Sequence, residues 1–319
     1  MAFQRIVNRK CPDGIVRTLY PFHISFKGME SFVLCRDEDD YDVLEKYFHV
    51  CSWHNNVLVI SRIAMSNHGH MAVLATHYDS ACRSGEAVKK NYSQYITYKY
   101  GEKKTLLRAD INVQYLDSDW YVRNVLAYIP RNAMDTGARI EDYPWSSYRG
   151  AFLQKGKGLP AGRPVAFLGR RERESLFRTH VDLSHVPWTI DADGHLVPVS
   201  CCDNAYLESA FNNDQAFFLK TIGSMNPAEM DQKLLTGPRQ RKTDTEFLVI
   251  ASDIADRWFH RSVPSLTLEQ KARLLPTLYR THRTSINQLA RCLQMERQQV
   301  EQMLKKHAAS LNGSVCPPA

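Results

Sequence analysis

Residues 65–70, MSNHGH, contain two histidines, His68 and His70, that lie two positions apart. If this segment enters a β-strand, both imidazole rings point to the same face of the sheet, because side chains alternate along a strand. Two imidazoles on one face can bind one divalent cation. The alternative is a chance pair, or rings satisfied by hydrogen bonds in a polar turn, since the chain contains 12 histidines.

A second candidate is the segment YIPRN at residues 128–132, which places Tyr128 and Asn132 four positions apart. On a helix these positions share a face, so a phenol and an amide oxygen can approach the same metal. The alternative is an ordinary amphipathic helix with a core tyrosine and a surface asparagine. Pro130 lies between them, and an internal proline removes one backbone hydrogen bond at a cost of about 3 kcal/mol when nothing compensates.

The elements that must position these residues follow from hydrophobic periodicity in the first half of the chain. We predict strands at residues 19–27, 57–65, 71–76 and 106–116, and helices at residues 37–54 and 87–100 and from Asp119 onward. Residues 66–67, Ser-Asn, suit a tight turn between the second and third strands. The first six elements follow the order of a split βαβ, ferredoxin-like domain with an antiparallel sheet, so the predicted fold class is α+β.

The second half of the chain has two predicted linkers, at residues 154–163 and 238–242. Between them we predict a helix at 170–181 and a hairpin around residues 193–194, without a functional assignment. From residue 245 to about 306 the pattern is helical, and disorder is expected after residue 310. The predicted domains are 1–153, an unassigned linker region at 154–242, a helical domain at 243–310 and a tail at 311–319.

Composition excludes several classes of protein. The 319 residues have an ordinary globular composition, and no apolar run approaches the ~18 residues of a membrane helix. The first nine residues lack the apolar core of a signal peptide. The eight cysteines form no CxxC pair, and only Cys201 and Cys202 are close in sequence, so we expect free thiols and a cytoplasmic protein rather than a zinc finger or a c-type haem protein.

The net charge of +7 permits a polyanionic partner, although ordinary proteins also carry such a charge. Its distribution is more informative. Residues 237–306 contain 13 Lys and Arg and 7 Asp and Glu, so most of the excess positive charge lies in the C-terminal segment.

Several phrases of the first half resemble the single-tyrosine HUH transposases of the insertion-sequence-200-like group, and within it the tyrosine transposases associated with repetitive extragenic palindromes. The phrases are FHISFKG at 22–28, MSNHGH at 65–70, VKKNYSQYITYKYG at 88–101, YIPRNAMDTG at 128–137 and DYPWSSYRGAFL at 142–153. MSNHGH and DYPWSSY at about the family's spacing are the specific part, and they favour a metal site at the histidine pair. Pro130 and Ala133 depart from the family pattern, which has histidine and proline there.

The resemblance implies a DNA transposase that cleaves and rejoins single-stranded, hairpin-containing DNA. It implies that His68, His70 and Asn132 bind the metal and that Tyr128 is the nucleophile. Two imidazole nitrogens and one amide oxygen suit Mg²⁺ or Mn²⁺. The metal would bind a phosphate oxygen, and Tyr128 would attack phosphorus to form a covalent 5′-phosphotyrosine ester while a 3′-hydroxyl leaves.

Two further groups of residues are candidate DNA contacts. Lys89, Lys90, Tyr92 and Tyr95 lie on the second predicted helix, where they would contact the DNA backbone and stack on bases. The alternative is an ordinary half-buried helix.

Residues 285–304, SINQLARCLQMERQQVEQML, resemble the helix-turn-helix of replication-initiator C-terminal domains, with Ala290 and Val300 ten residues apart. Gln294 stands where the turn usually has glycine. Arg297, Gln298 and Gln299 would then face the major groove of duplex DNA. A plain helical bundle is the alternative for this segment.

Two other functions are compatible with these patterns. Pro130 and Ala133 favour a domesticated DNA-binding protein with a decayed nuclease site. An RNA hairpin-binding protein is the second alternative. The sequence specifies neither the target DNA nor whether the protein acts as a monomer or a homodimer, and we expect no membrane partner.

Overall fold

The computed structural model describes residues 3–27, 33–101, 110–153, 162–224, 244–282, 284 and 286–312. The chain divides into two compact units, Met1–Leu234 and Leu235–Ala319. The first unit is mixed α/β with an antiparallel sheet, and the second is helical. Among the described residues no helix is both long and apolar enough to cross a membrane.

The first unit contains all the strands that the structure describes. Its elements are β1 (Val7–Lys10), β2 (Val16–Lys27), α1 (Glu38–His54), β3 (Leu58–Ala64), β4 (His68–Ala75), α2 (Tyr78–Tyr100), β5 (Asp110–Tyr115), α3 (Asp119–Arg131), β6 (Arg163–Pro164), α4 (Arg170–Phe177), β7 (Thr189–Ile190), α5 (Pro198–Cys201), α6 (Asn204–Ala210) and α7 (Gln215–Ser224).

The sheet places β2 and β4 at its centre. These two strands pair antiparallel from Tyr20–Ala75 to Lys27–His68. Strand β3 pairs with the other edge of β4, and β5 pairs with the other edge of β2. Strand β1 pairs with the beginning of β2. The four longer strands therefore lie in the order β5-β2-β4-β3.

The two faces of the sheet differ in chemistry. On one face the apolar side chains of β2, Phe22, Ile24 and Phe26, are buried with residues of α1 and α2. The alternate residues, His23 and Ser25, point to the face that α3 covers and are also buried. Because side chains alternate along a strand, this register gives α3 a partly polar surface to pack on.

The elements of the first half lie close to their predicted positions. Helix α1 begins at Glu38, and the side chain of Asp37 caps it by accepting a hydrogen bond from the Asp40 N–H at 3.1 Å. Helix α2 begins nine residues before the predicted residue 87, because its first turns are buried through small residues. A Cβ on Gly85 would lie 3.2 Å from Ile24, so the close approach of helix to sheet requires a residue that hydrophobic periodicity does not register.

The residues between 162 and 224, for which the sequence indicated no function, belong to the first unit. Tyr206, Phe211 and Phe218 are buried in the same cluster as Leu126 and Ile129 of α3. The predicted helix at 170–181 is confirmed as Arg170–Phe177, and Gly194 takes a left-handed φ of 86° in the predicted turn. The predicted domain boundaries remain predictions, and residues 154–161, 238–242 and 313–319 of the predicted linkers and tail lie outside the described residues.

The second unit has four described α-helices: α8 (Asp244–Phe259), α9 (Leu268–Thr281), α10 (Ile286–Leu293) and α11 (Arg297–Asn312). Leu274, Leu275 and Leu278 of α9 are fully buried with Leu289 and Val300. These residues of α9, α10 and α11 form the core of the second unit.

Candidate active site

His68 and His70 lie at the beginning of β4, on the face of the sheet that α3 covers. Their ring centroids are 5.1 Å apart, and His70 is 1% exposed. Gly69 between them points to the opposite face, where a Cβ would lie 3.0 Å from the ring of Phe48. The tight packing of α1 against the strand therefore requires glycine here, while the two imidazoles share the other face.

Asn132 follows α3 directly and faces His68. Its side-chain Nδ2 donates to the carbonyl of Tyr128 at 2.7 Å, which directs Oδ1 toward His68 Nε2 at 3.2 Å. Two ligands about 2.1 Å from an octahedral ion, on adjacent corners, are about 3 Å apart. His68 Nδ1 lies 2.6 Å from the side-chain oxygen of Asn67. A proton on Nδ1 would donate to this oxygen and leave the Nε2 lone pair facing Asn132.

Tyr128 lies beside the histidine pair, on the last turns of α3. Its ring centroid is 5.2 Å from that of His70, in an edge-on arrangement, and the residue is 5% exposed. The backbone N–H of Asn132 donates to the carbonyl of Tyr128, so the two residues remain one helical turn apart. Pro130 thus does not separate the tyrosine from the asparagine. The C-terminal end of a helix also favours a cation.

His23 on β2 is a third histidine of this cluster, which the sequence analysis did not select. Its Nε2 lies 3.1 Å from His70 Nδ1, and the two rings are stacked with centroids 5.2 Å apart. Both residues are 1% exposed. The signal was present in the strand FHISFK, where His23 and Ser25 alternate with three apolar residues and must face the opposite side of the sheet.

The contact between His23 and His70 permits two proton arrangements, and one of them suits metal binding by His70. If His70 Nδ1 carries the proton and donates to His23 Nε2, the lone pair of His70 is on Nε2.

We expect His23→Phe to weaken Mn²⁺ binding by about 10- to 100-fold, because the acceptor that holds this tautomer is lost. His23→Gln, which retains an acceptor near the same position, should recover most of the affinity. Titration of Mn²⁺ by electron paramagnetic resonance measures both, and equal affinities for the two variants would contradict this role.

The segment DYPWSSY closes the edge of the sheet next to the site. Tyr143 donates to the carbonyl of Ala64 at 2.8 Å, and Ser147 Oγ accepts from the N–H of Arg62 at 2.9 Å. Trp145 stacks on Tyr41 of α1 with centroids 5.2 Å apart. The segment therefore holds the strand that precedes the MSNHGH turn.

The predicted DNA contacts on α2 require a correction. Tyr92 and Tyr95 are 1% and 6% exposed. Tyr92 donates to the carbonyl of Leu34 at 2.7 Å, and Tyr95 donates to Asp40 Oδ1 at 2.9 Å. The two rings form part of the core, where they cannot stack on bases, and the alternative of a half-buried helix applies to them. Lys89 is half-buried and Lys90 is exposed, and both remain predicted DNA contacts.

In the second unit, Arg297, Gln298 and Gln299 form the exposed first turn of α11. Val300, the next residue, is fully buried. Tyr279 on α9 is 38% exposed, whereas Leu278 beside it is fully buried. Arg297 also pairs with Glu301 on the same helix at 3.0 Å.

Gln294, the first residue after α10, adopts the left-handed conformation with φ of 51°. The N–H of Met295 donates to the carbonyl of Ala290 at 2.9 Å, which is the closing hydrogen bond of a Schellman motif. Glycine is preferred at this position because it has no Cβ to strain. We therefore expect Gln294→Gly to stabilise the second unit by about 1 kcal/mol, measured by denaturant unfolding of the full chain. A loss of stability would show that the Gln294 side chain makes a stabilising contact that outweighs this strain.

Comparison with known proteins gives limited information. No family model matches this sequence, and no curated protein matches it. A solved structure of a REP-associated tyrosine transposase bound to a REP hairpin is similar over 47% of this chain and 84% of its own, with 14% identity and a TM-score of 0.32. A TM-score this low does not indicate a shared fold, so we base the proposed function on the site residues themselves.

Proposed function

We propose that the protein is a metal-dependent transposase or nickase that cleaves and rejoins single-stranded hairpin DNA through Tyr128. The observation that carries this proposal is the approach of four side chains from two separate elements. His68 and His70 come from β4, Tyr128 comes from α3, and Asn132 is the residue that caps the end of α3. The strand order β5-β2-β4-β3 with α1 and α2 on one face supports a ferredoxin-like catalytic domain.

His68 Nε2, Asn132 Oδ1 and one nitrogen of His70 would hold Mg²⁺ or Mn²⁺. The 3.2 Å separation of the first two atoms fits two ligands of one octahedral ion, and the donor set suits Mn²⁺ in particular. A metal bound there supplies a positive charge that neutralises a phosphate oxygen in the transition state.

The remaining steps belong to the residues of this chain. A phenol has an ordinary pKa of ~10, so Tyr128 must lose its proton as it attacks phosphorus. The helix holds the phenol beside His70, which limits its freedom before the reaction. The bond from phosphorus to the 3′-oxygen breaks, the 3′-hydroxyl leaves with a proton, and the 5′-phosphate stays on Tyr128 as an ester. Attack by a 3′-hydroxyl on this ester reverses the step and rejoins the strand.

Two other functions remain to be distinguished. A DNA-binding protein with a decayed nuclease site is favoured by Pro130 and Ala133, and an RNA hairpin-binding protein is the second alternative. The experiment is incubation of the full chain with hairpin oligonucleotides of DNA or RNA, with and without Mn²⁺, followed by denaturing electrophoresis. We expect Mn²⁺-dependent cleavage of the DNA hairpin. Binding of DNA without cleavage would support a DNA-binding protein with a decayed nuclease site. Preferential binding of RNA would support an RNA hairpin-binding protein.

We also propose that the second unit is a helix-turn-helix module that binds duplex DNA through the first turn of α11. This proposal is supported by the exposed Arg297, Gln298 and Gln299 beside the buried Val300, and by the positive charge of residues 237–306. The unit would then hold the protein near a duplex flanking the hairpin, while cleavage takes place in the first unit.

Arg297→Ala should weaken duplex binding by about fivefold or more, because one contact to a base or phosphate contributes about 1–3 kcal/mol. Arg257→Ala is the matched control, since both arginines are 66% exposed and both pair with an acid on their own helix. Fluorescence anisotropy with a labelled duplex at fixed salt measures the two affinities. Equal losses in both variants would indicate a general charge effect and would contradict a recognition role for Arg297.

A further inference from the structure

A second cluster of metal-binding side chains lies on the opposite side of the sheet from Tyr128. His49 of α1 and the adjacent residues Cys201 and Cys202 place one ligand atom each within 4.8 Å of one another. Cys201 Sγ is 3.4 Å from His49 Nε2. His49 is 1% exposed, and the two cysteines are half-buried. These residues come from segments about 150 positions apart in the chain, so only the fold brings them together.

The spacing of this cluster matches zinc coordination. Zinc binds cysteine sulfur at about 2.3 Å and histidine nitrogen at about 2.0–2.1 Å in a tetrahedron, which places the sulfur and the nitrogen about 3.5 Å apart. The observed 3.4 Å between Cys201 and His49 is close to this value. Two thiolates and one imidazole form a soft donor set, which favours zinc over the oxygen-seeking Mg²⁺.

A cavity of about 170 Å³ adjoins the cluster, and all three residues line it together with Trp188 and Asp203. Zinc sites with three protein ligands commonly keep a fourth position for water or another small ligand. The cavity has room for that ligand, and it gives an ion a path to the half-buried thiols.

Arg62 on β3 competes for the same histidine. Its Nε donates to His49 Nε2 at 2.9 Å, while another of its nitrogens pairs with Glu45. A bound ion would take over the lone pair of His49, and Glu45 would keep the guanidinium charge paired. Contacts with the Cys201 thiol and with His49 hold the pKa of Cys202 below its ordinary value despite burial, whereas burial raises the pKa of Cys201. Metal binding must therefore displace the proton of Cys201.

We propose that His49, Cys201 and Cys202 form a zinc site that is separate from the site at Tyr128. The ion would join the end of α5 to α1. The residue that follows Cys202, Asp203, donates its backbone N–H to the carbonyl of Val59 on β3 at 2.8 Å. The ion would therefore help to hold this segment against β3. This site goes beyond the proposed DNA cleavage and does not depend on it.

The test is titration of chelator-treated, reduced full-length protein with Co²⁺, which replaces zinc and absorbs in the near ultraviolet when thiolate binds it. We expect this sulfur-to-cobalt band to saturate at one equivalent and to disappear on addition of Zn²⁺. His70→Ala should keep the band, because the site at Tyr128 contains no sulfur. Absence of the band in the wild-type protein would overturn the proposal.

The matched variants are the double substitution Cys201→Ser with Cys202→Ser and the single substitution Cys82→Ser, which alters a half-buried cysteine on α2. We expect the double variant to lose the band and Cys82→Ser to retain it, with circular dichroism confirming that both fold. A band that persists in the double variant would overturn the assignment. If the double variant does not fold, the site is tested by titrating the thiols of the native wild-type protein with and without Zn²⁺. Zn²⁺ should protect two thiols from the thiol reagent, and protection of none would overturn the proposal.

Discussion

Replacing Tyr128 by phenylalanine should abolish covalent attachment to DNA and reduce hairpin cleavage to background. The substitution removes only the hydroxyl oxygen that would attack phosphorus, and the ring still packs against His70. Binding of the uncleaved hairpin should therefore change by no more than a few-fold. Denaturing electrophoresis of labelled DNA measures the adduct, and fluorescence anisotropy measures the binding.

Tyr121→Phe is the matched control for this experiment. Tyr121 lies two turns earlier on the same helix, and its hydroxyl donates to Gln114 of β5. Burial raises the pKa of Tyr121 and so disfavours the phenolate. We expect this variant to retain the adduct, and loss of the adduct in Tyr121→Phe but not in Tyr128→Phe would assign the nucleophile to Tyr121.

Removal of divalent metal should reduce hairpin cleavage as strongly as the Tyr128→Phe substitution. We expect cleavage to stop in excess chelator and to return on addition of Mn²⁺, because the bound ion would supply the positive charge that neutralises the phosphate in the transition state. His70→Ala should lower the rate at saturating Mn²⁺ by about 100-fold or more, since the proposed ligand that it removes is 1% exposed.

His77→Ala provides the comparison. His77 is an exposed histidine at the start of α2, with its Nδ1 beside Thr76, and it lies away from the cluster. It should leave the rate and the metal requirement unchanged. Full activity of the wild-type protein in excess chelator would contradict a role for a metal at His68, His70 and Asn132.

The periodic part of the fold was predictable from the sequence because one residue type dominates each face. Strand β2 alternates apolar and polar residues, and the acidic run at residues 37–40 marks the beginning of α1. The histidine spacing of two and the tyrosine-asparagine spacing of four predicted which side chains share a face, since strand and helix periods fix the faces. The resemblance to the HUH transposases was needed to favour one shared metal site over a chance pair.

Other features depend on contacts between distant residues. His23 was missed because its role depends on the pairing of β2 with β4, which places it beside His70. Tyr92 and Tyr95 were interpreted as surface groups because aromatic residues at helical spacing suit both a core and a stacking surface. The cluster of His49 with Cys201 and Cys202 has no local sequence motif, since its members meet only after the segment at 198–203 packs on β3.

The most direct test of the central claim is identification of the residue that becomes attached to DNA. The full chain is incubated with Mn²⁺ and a hairpin oligonucleotide whose internal phosphodiester bonds can be cleaved, digested with protease and nuclease, and analysed by tandem mass spectrometry. We predict one nucleotide linked through its 5′-phosphate to the phenol oxygen of Tyr128, and no adduct when Mn²⁺ is omitted. An adduct on any other residue, or cleavage that leaves every tyrosine unmodified, would contradict the proposed mechanism.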